Sequence, residues 1–196
     1  MLQSKQKPKL TTQMLVRMSL LVALNIILDR YLSLRLPMLG VEGLRIGFGA
    51  VPVIFAGIFM GPVAGGLVGA VGDIVGFIVA PLGAYVPHFT LTAALRGIIP
   101  GLIILLAGRG RREIGIFPLF LAISAVFVVV NILIWPYFME IVFGPLRAVT
   151  VPPKIAEAVV AIPIYTIILF TMGRAMERIL DTGMGRKAIH FSGKLW

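Results

Sequence analysis

The chain has 196 residues, 59% of them apolar and only 13% charged, and no cysteine; its mean hydropathy is +1.01. That balance excludes an ordinary soluble domain, and the missing thiols exclude disulfides, thiolate catalysis and Cys-ligated metal. The net charge of +10 comes from basic residues that flank apolar runs instead of forming one folded basic face, so nucleic-acid binding is not indicated.

Apolar runs and their punctuation predict an all-α membrane protein, a single integral domain of six transmembrane helices in a compact bundle. The expected spans lie near Thr11–Leu32, Ile46–Met60, Val63–Pro81, Phe89–Ala107, Phe117–Phe143 and Ile155–Met176. Residues 1–10 read as a basic tail, 11–176 as the bundle and 177–196 as a second tail. Lys5, Lys7 and Lys9 before an apolar stretch mimic a signal peptide. No small-residue cleavage site follows, and the stretch ends in Asp29-Arg30, so it reads as the first span. Gly61-Pro62 is a tight break with proline suited to the first turn of the next helix, which makes spans two and three a close hairpin.

Charge predicts the orientation. Lys5, Lys7, Lys9 and Arg17, then Arg109, Arg111 and Arg112, then Arg174, Arg178, Arg186, Lys187 and Lys194 fall on one side. The positive-inside tendency makes that side, and with it both termini, cytoplasmic. The segments Ser33–Arg45, Leu82–His88 and Gly144–Lys154 are then outer connections.

Much catalytic apparatus is absent from the sequence. There is no phosphate loop ending in Lys-Ser/Thr; the two histidines, His88 and His190, form no His-Glu-x-x-His; and Asp29, Asp73, Glu140 and Glu157 fall on four different spans. The reading is therefore no enzyme, no cofactor and no metal, and ATP-driven work would need another subunit.

Polar groups within the spans are the candidates for a site. Asp73 lies in a glycine-spaced apolar run from Gly61 to Gly76. A carboxylate at bilayer depth costs roughly 2.5–3.5 kcal/mol on insertion scales and is usually held by a partner or a ligand. Arg30 and Arg45 flank the first outer segment and could also snorkel to headgroups. Arg96 is deeper, where pairing with Asp73 is the alternative to meeting an anionic solute. Tyr85 and Phe89 bracket Pro87-His88, and Trp135 with Pro136 interrupts span five one turn after Asn131. Tyr85 and Trp135 would also suit an interfacial aromatic belt. The Asn131 amide needs a partner in the bundle or a ligand, and Pro136 frees a backbone carbonyl of the kind that lines cavities.

The ordered set Leu44-Arg45-Ile46 with Pro52, Gly61-Pro62-x-x-Gly65-x-x-x-Gly69-x-x-x-Asp73, and Gly83-x-Tyr85-x-Pro87-x-Phe89-Thr90 with Ala93, Gly97 and Pro100-Gly101 resembles the substrate-binding S components of energy-coupling-factor (ECF) vitamin transporters, most closely the folate-specific group. The likeness is good from about Arg17 to Gly101 and rests on hydropathy elsewhere. It implies a vitamin pocket near the outer face of a prokaryotic cell membrane, capped by the first and third outer loops. It also implies assembly with a transmembrane coupling subunit and two ATPases. The family's Ala-x-x-x-Ala face for that subunit falls here on Ser19 and Ala23, with serine replacing the first alanine. His88 also departs from the pattern, which tends to have glycine there.

Folate suits these residues chemically. Asp73 could accept from a pterin's amine and ring N–H, the rings could stack on Trp135, Tyr85 or Phe89, and the glutamate carboxylates would seek Arg30, Arg45 or Arg96. The competing readings are an S component for thiamine, pantothenate or a corrin, a non-transport membrane scaffold, and a lipid-modifying enzyme.

Overall fold

The computed structural model describes residues 12–38, 41–81, 85–107, 115–144 and 147–181; for the stretch 34–46 and some helix-end positions it describes the backbone only. The terminal tails, the basic loop with Arg109, Arg111 and Arg112, and part of the loop before Tyr85 lie outside these residues. The described residues contain six helical columns. Five are long and apolar enough to cross a membrane: Thr12–Arg30, Pro62–Val79, Pro87–Leu106, Ile116–Ile141 and Val151–Ala175.

The first helix, α1 (Thr12–Arg30), is apolar around its circumference. Met18 is buried in the bundle, while Leu15, Val16, Leu20 and Ile27 face outward. The next segment departs from the all-α expectation. Where the sequence predicts an outer loop, strands β1 (Leu34–Met38) and β2 (Val41–Ile46) form an antiparallel hairpin. Its register pairs Leu36 with Leu44 and Pro37 with Glu42, which leaves Gly43 as the extra residue of a bulge. Because β2 runs to Ile46, the second helix starts later than expected. That helix, α2 (Ala50–Met60), has 11 residues, a length of about 16 Å. It is well short of a hydrocarbon core of about 30 Å.

Gly61, at φ 105°, turns the chain from α2 into α3 (Pro62–Val79), with Pro62 in the opening turn. The hairpin predicted from Gly61-Pro62 is present. Helices α2, α3 and α4 (Pro87–Leu106) then pack backbone on backbone. A Cβ on Gly65 would lie 2.5 Å from the Gly57 Cα and 2.7 Å from the Gly97 carbonyl oxygen, so no side chain fits between the three helices. Small residues at such a crossing let apolar helices approach closely where no hydrophobic drive exists between them.

The fifth column is continuous. It runs through α5 (Ile116–Val126), a π-helical stretch (Phe127–Ile134) and α6 (Trp135–Phe143). The Trp135 N–H donates to the Val130 carbonyl, five residues back, and Pro136 has no N–H to continue the α ladder. The interruption expected at Trp135-Pro136 is thus a change of helical register, of a kind frequent at functional sites. Last comes α7 (Arg147–Asp181), which continues through Pro152, Pro153 and Pro163. It takes in Lys154, which the sequence places at the end of an outer connection. The Tyr165 hydroxyl donates to the Gly47 carbonyl and ties α7 to the residue after β2.

Candidate functional site

Asp73 lies seven residues before Ala80, the C-cap of α3, about 10 Å along the helix. Its Oδ2 accepts from the Thr90 hydroxyl at 2.7 Å. Since Thr90 has one hydroxyl proton, the 2.8 Å contact between Thr90 and Tyr85 must be donated by the Tyr85 phenol. The result is a chain from Tyr85 through Thr90 to Asp73, in which Thr90 is the carboxylate's one hydrogen-bond donor among the described residues. The Tyr85 ring packs on Phe77 with centroids 5.2 Å apart.

Arg96 lies six residues beyond Thr90 on α4, about 9 Å deeper along the helix. Its Nη2 donates to Asn131 Oδ1 at 3.1 Å. The pairing of Arg96 with Asp73, which the sequence left open, is therefore replaced by a bond to the π-helical stretch. Arg96 Nε is buried with no hydrogen-bond partner among the described residues.

One face of the fifth column carries Asn131, Trp135 and Phe138 in succession, and each meets a residue of a neighbouring helix. Phe138 lies parallel to His88 of α4, with centroids 5.2 Å apart and planes 9° apart; Phe89 packs beside the same imidazole at 4.2 Å. Trp135 is 4% exposed, and the Lys154 ammonium of α7 sits 4.7 Å from its ring centroid. Lys154 is 5% exposed and pairs with Glu157 at 2.8 Å. The antiparallel α4 and fifth column thus align His88 with Phe138 and Arg96 with Asn131, and Lys154 of α7 lies over Trp135, between those levels in the sequence of the column. A separate apolar groove of about 730 Å³ opens sideways between α4, the fifth column and α7; Leu91, Leu95, Ile132, Tyr137 and Phe138 are among its lining residues.

The structure brings Asp73, Tyr85 and Phe89 to one cluster through Thr90 and His88, and Arg96, Asn131 and Trp135 to a second. The other predicted residues make different contacts. Arg30 donates from Nη1 to the Ala80 carbonyl at 3.0 Å. Its guanidinium crosses α3 at Gly76, where a Cβ would come within 3.2 Å of Arg30 Nε. Arg45 is on β2 opposite Arg35, and its side chain lies outside the described residues. Ser19 and Ala23 are exposed on α1, with the serine hydroxyl bonded to the Leu15 carbonyl. Lys154 and His88 are absent from the sequence-derived site. The available signal was Glu157 three residues after Lys154, a helical ion-pair spacing. Among the described residues no cluster of three or more His, Asp or Glu could hold a metal.

A multi-pass helical bundle that gathers a carboxylate, two interior cations and several flat rings has the build of a solute-binding membrane protein. The sequence model of the family described as "ECF-type riboflavin transporter, S component" matches residues 9–176, and the chain belongs to that family, one of transporter components and not of enzymes. It is 28% identical over 165 residues to the folate transporter FolT of Clostridium novyi (strain NT), covering 84% of this chain and 90% of that protein. Its structure is similar to the crystal structure of FolT bound with folic acid, with a TM-score of 0.72, 27% identity, and 85% and 98% of the two chains covered. The S component of a bacterial ECF transporter, at 21% identity and a TM-score of 0.65 over 86% of this chain and 98% of that one, shares the fold.

Proposed function

We propose that this chain is the folate-binding S component of an ATP-driven vitamin uptake transporter. It would take its solute at the outer face of a prokaryotic plasma membrane and release it through a coupling subunit and two ATPases. Both termini are cytoplasmic in this reading, and α2 completes a set of six spans. The observation that carries the proposal is the separation of charge inside the bundle. Asp73, with Tyr85 and Phe89 beside it, suits the N–H donors of a pterin. Arg96 and Lys154, on either side of the Asn131–Trp135 face, suit the carboxylates at the other end of the molecule. The similarity to FolT bound with folic acid supports the same ligand. Arg30 is assigned to fastening α1 onto α3, and Arg45 remains a candidate for the ligand's rim. Ser19 and Ala23, small and outward-facing, offer a flat stripe on which a coupling-subunit helix can lie.

The test is a titration of the detergent-purified chain with folate and, separately, riboflavin, following Trp135 emission in a background where Trp196 is replaced by phenylalanine. Saturable quenching by submicromolar folate, with riboflavin much weaker, is expected. Tighter binding of riboflavin would transfer the site to the flavin, and binding of neither would favour a membrane scaffold.

A further inference from the structure

The proposed function leaves His88 of the outer cluster without a role, and unlike Thr90, whose hydroxyl bonds Asp73, its imidazole has a nitrogen still to be satisfied. It is 7% exposed, and its Nε2 is buried without a hydrogen-bond partner among the described residues. In either neutral tautomer that nitrogen is a donor or an acceptor, and leaving it unpaired inside the bundle costs stability. The ring is nonetheless closely held. Phe138 stacks parallel to it, Phe89 packs on it at an angle, and Thr90, two residues along α4, holds the Asp73 carboxylate. A residue kept only to fill this space between rings would be better as phenylalanine, which has no polar atom to satisfy. A fixed imidazole with an idle nitrogen, beside a carboxylate with a single donor, is instead the arrangement of a site whose remaining partner arrives with the ligand.

We propose that His88 is a specificity-determining residue whose Nε2 hydrogen-bonds a ring nitrogen or ring carbonyl of a planar nitrogen heterocycle, with Phe138 as the rigid backing that fixes the imidazole plane. The choice of folate as that heterocycle rests on the function proposed above; the role of His88 toward a flat nitrogen heterocycle does not. Asp73 and His88 together would read two edges of the ring, the carboxylate taking donors and the imidazole the complementary position. An aromatic hydrocarbon of the same shape would leave Nε2 as it stands now and be rejected, since buried polar groups left unpaired discriminate strongly between isosteres.

The experiment compares His88→Phe and His88→Gln with the parent for binding of folate, its 5-deaza and 8-deaza analogues, and riboflavin, with thermal stability measured on each apo protein. The phenylalanine variant keeps the stack on Phe138; the glutamine variant keeps a polar atom near the position of Nε2. His88→Phe should melt at or above the parent yet bind the preferred vitamin about tenfold more weakly or worse. His88→Gln should recover most of that loss. The parent should discriminate against at least one deaza analogue, and His88→Phe should not. Equal affinity of the parent and His88→Phe, or equal losses in both variants, overturns the proposal. If His88→Phe fails to fold, the deaza comparison on the parent and on His88→Gln decides alone: no discrimination by the parent overturns the assignment. Tight binding of riboflavin in place of folate fails the folate reading while leaving the same comparison to be made on the flavin. Binding of neither vitamin by the parent overturns both.

Discussion

Two halves of the bundle are held together by different physics. In α2, α3 and the middle of α4 the helices meet at Gly57, Gly65 and Gly97 with nothing between their backbones. In the fifth column and α7, buried polar groups meet each other: Arg96 and Asn131, Lys154 and Glu157, and Trp135 beneath an ammonium. Backbone contact between small residues has one geometry and tolerates no enlargement. Side-chain pairs have alternatives, because each member can exchange its partner for a ligand atom of the same charge. The comparison suggests a fixed wall and an adaptable wall, with α4 belonging to both: Gly97 packs into the first and its neighbour Arg96 reaches the second.

The hardest test of the fixed wall is Gly97→Val. Overpacking usually costs about 1–3 kcal/mol where side chains can give way; here a Cβ would lie 2.2 Å from the Gly65 carbonyl, and backbone cannot swing aside, so the cost lies well above that range. Loss of folded protein or a melting temperature at least 10 °C lower is expected in detergent, and a variant that melts normally would end the distinction between the walls. Next in size is Lys154→Met. Removing one member of a buried ion pair costs roughly 3–5 kcal/mol, because the other charge is left unpaired. Adding Glu157→Gln should restore most of that stability. If Lys154 receives a ligand carboxylate, the stable double variant should still bind folate poorly; a double variant that binds normally would make the pair purely structural. Asp73→Asn should cost about 1–3 kcal/mol of binding and little stability, because Thr90 can donate to an amide oxygen as well. Calorimetry and melting on the same preparation separate the two effects. The smallest effect belongs to Arg30→Gln, which gives up one hydrogen bond to a carbonyl. It should lower stability by about 1 kcal/mol and leave folate affinity within twofold. A large affinity loss would return Arg30 to the ligand.

The helical plan was legible in the sequence because bilayer length and the Gly61-Pro62 break constrain it directly. Asp73 stood out for a similar reason, since an ionised group in an apolar run is conspicuous whatever surrounds it. The hairpin was not legible: Pro37, Gly40 and Gly43 break the alternation by which short strands announce themselves. Partner choice was not legible either. Whether Arg96 reaches Asp73 or Asn131 depends on how far α4 is slid along the fifth column, and residue types carry no information on that offset. Lys154 ends the outer connection expected over Gly144–Lys154, and although a Pro-Pro pair ordinarily marks a helix boundary, α7 continues through Pro152 and Pro153.

The brevity of α2 has a consequence for how water meets this protein. A two-stranded hairpin has two open edges, and unpaired peptide groups do not persist against hydrocarbon. The hairpin, which leads through Gly47 into α2, therefore borders water or other protein, and lipid does not close over that end of the helix. The depth that α2 leaves unspanned is taken up by folded chain, since the bond from Tyr165 to Gly47 holds the end of the hairpin to α7.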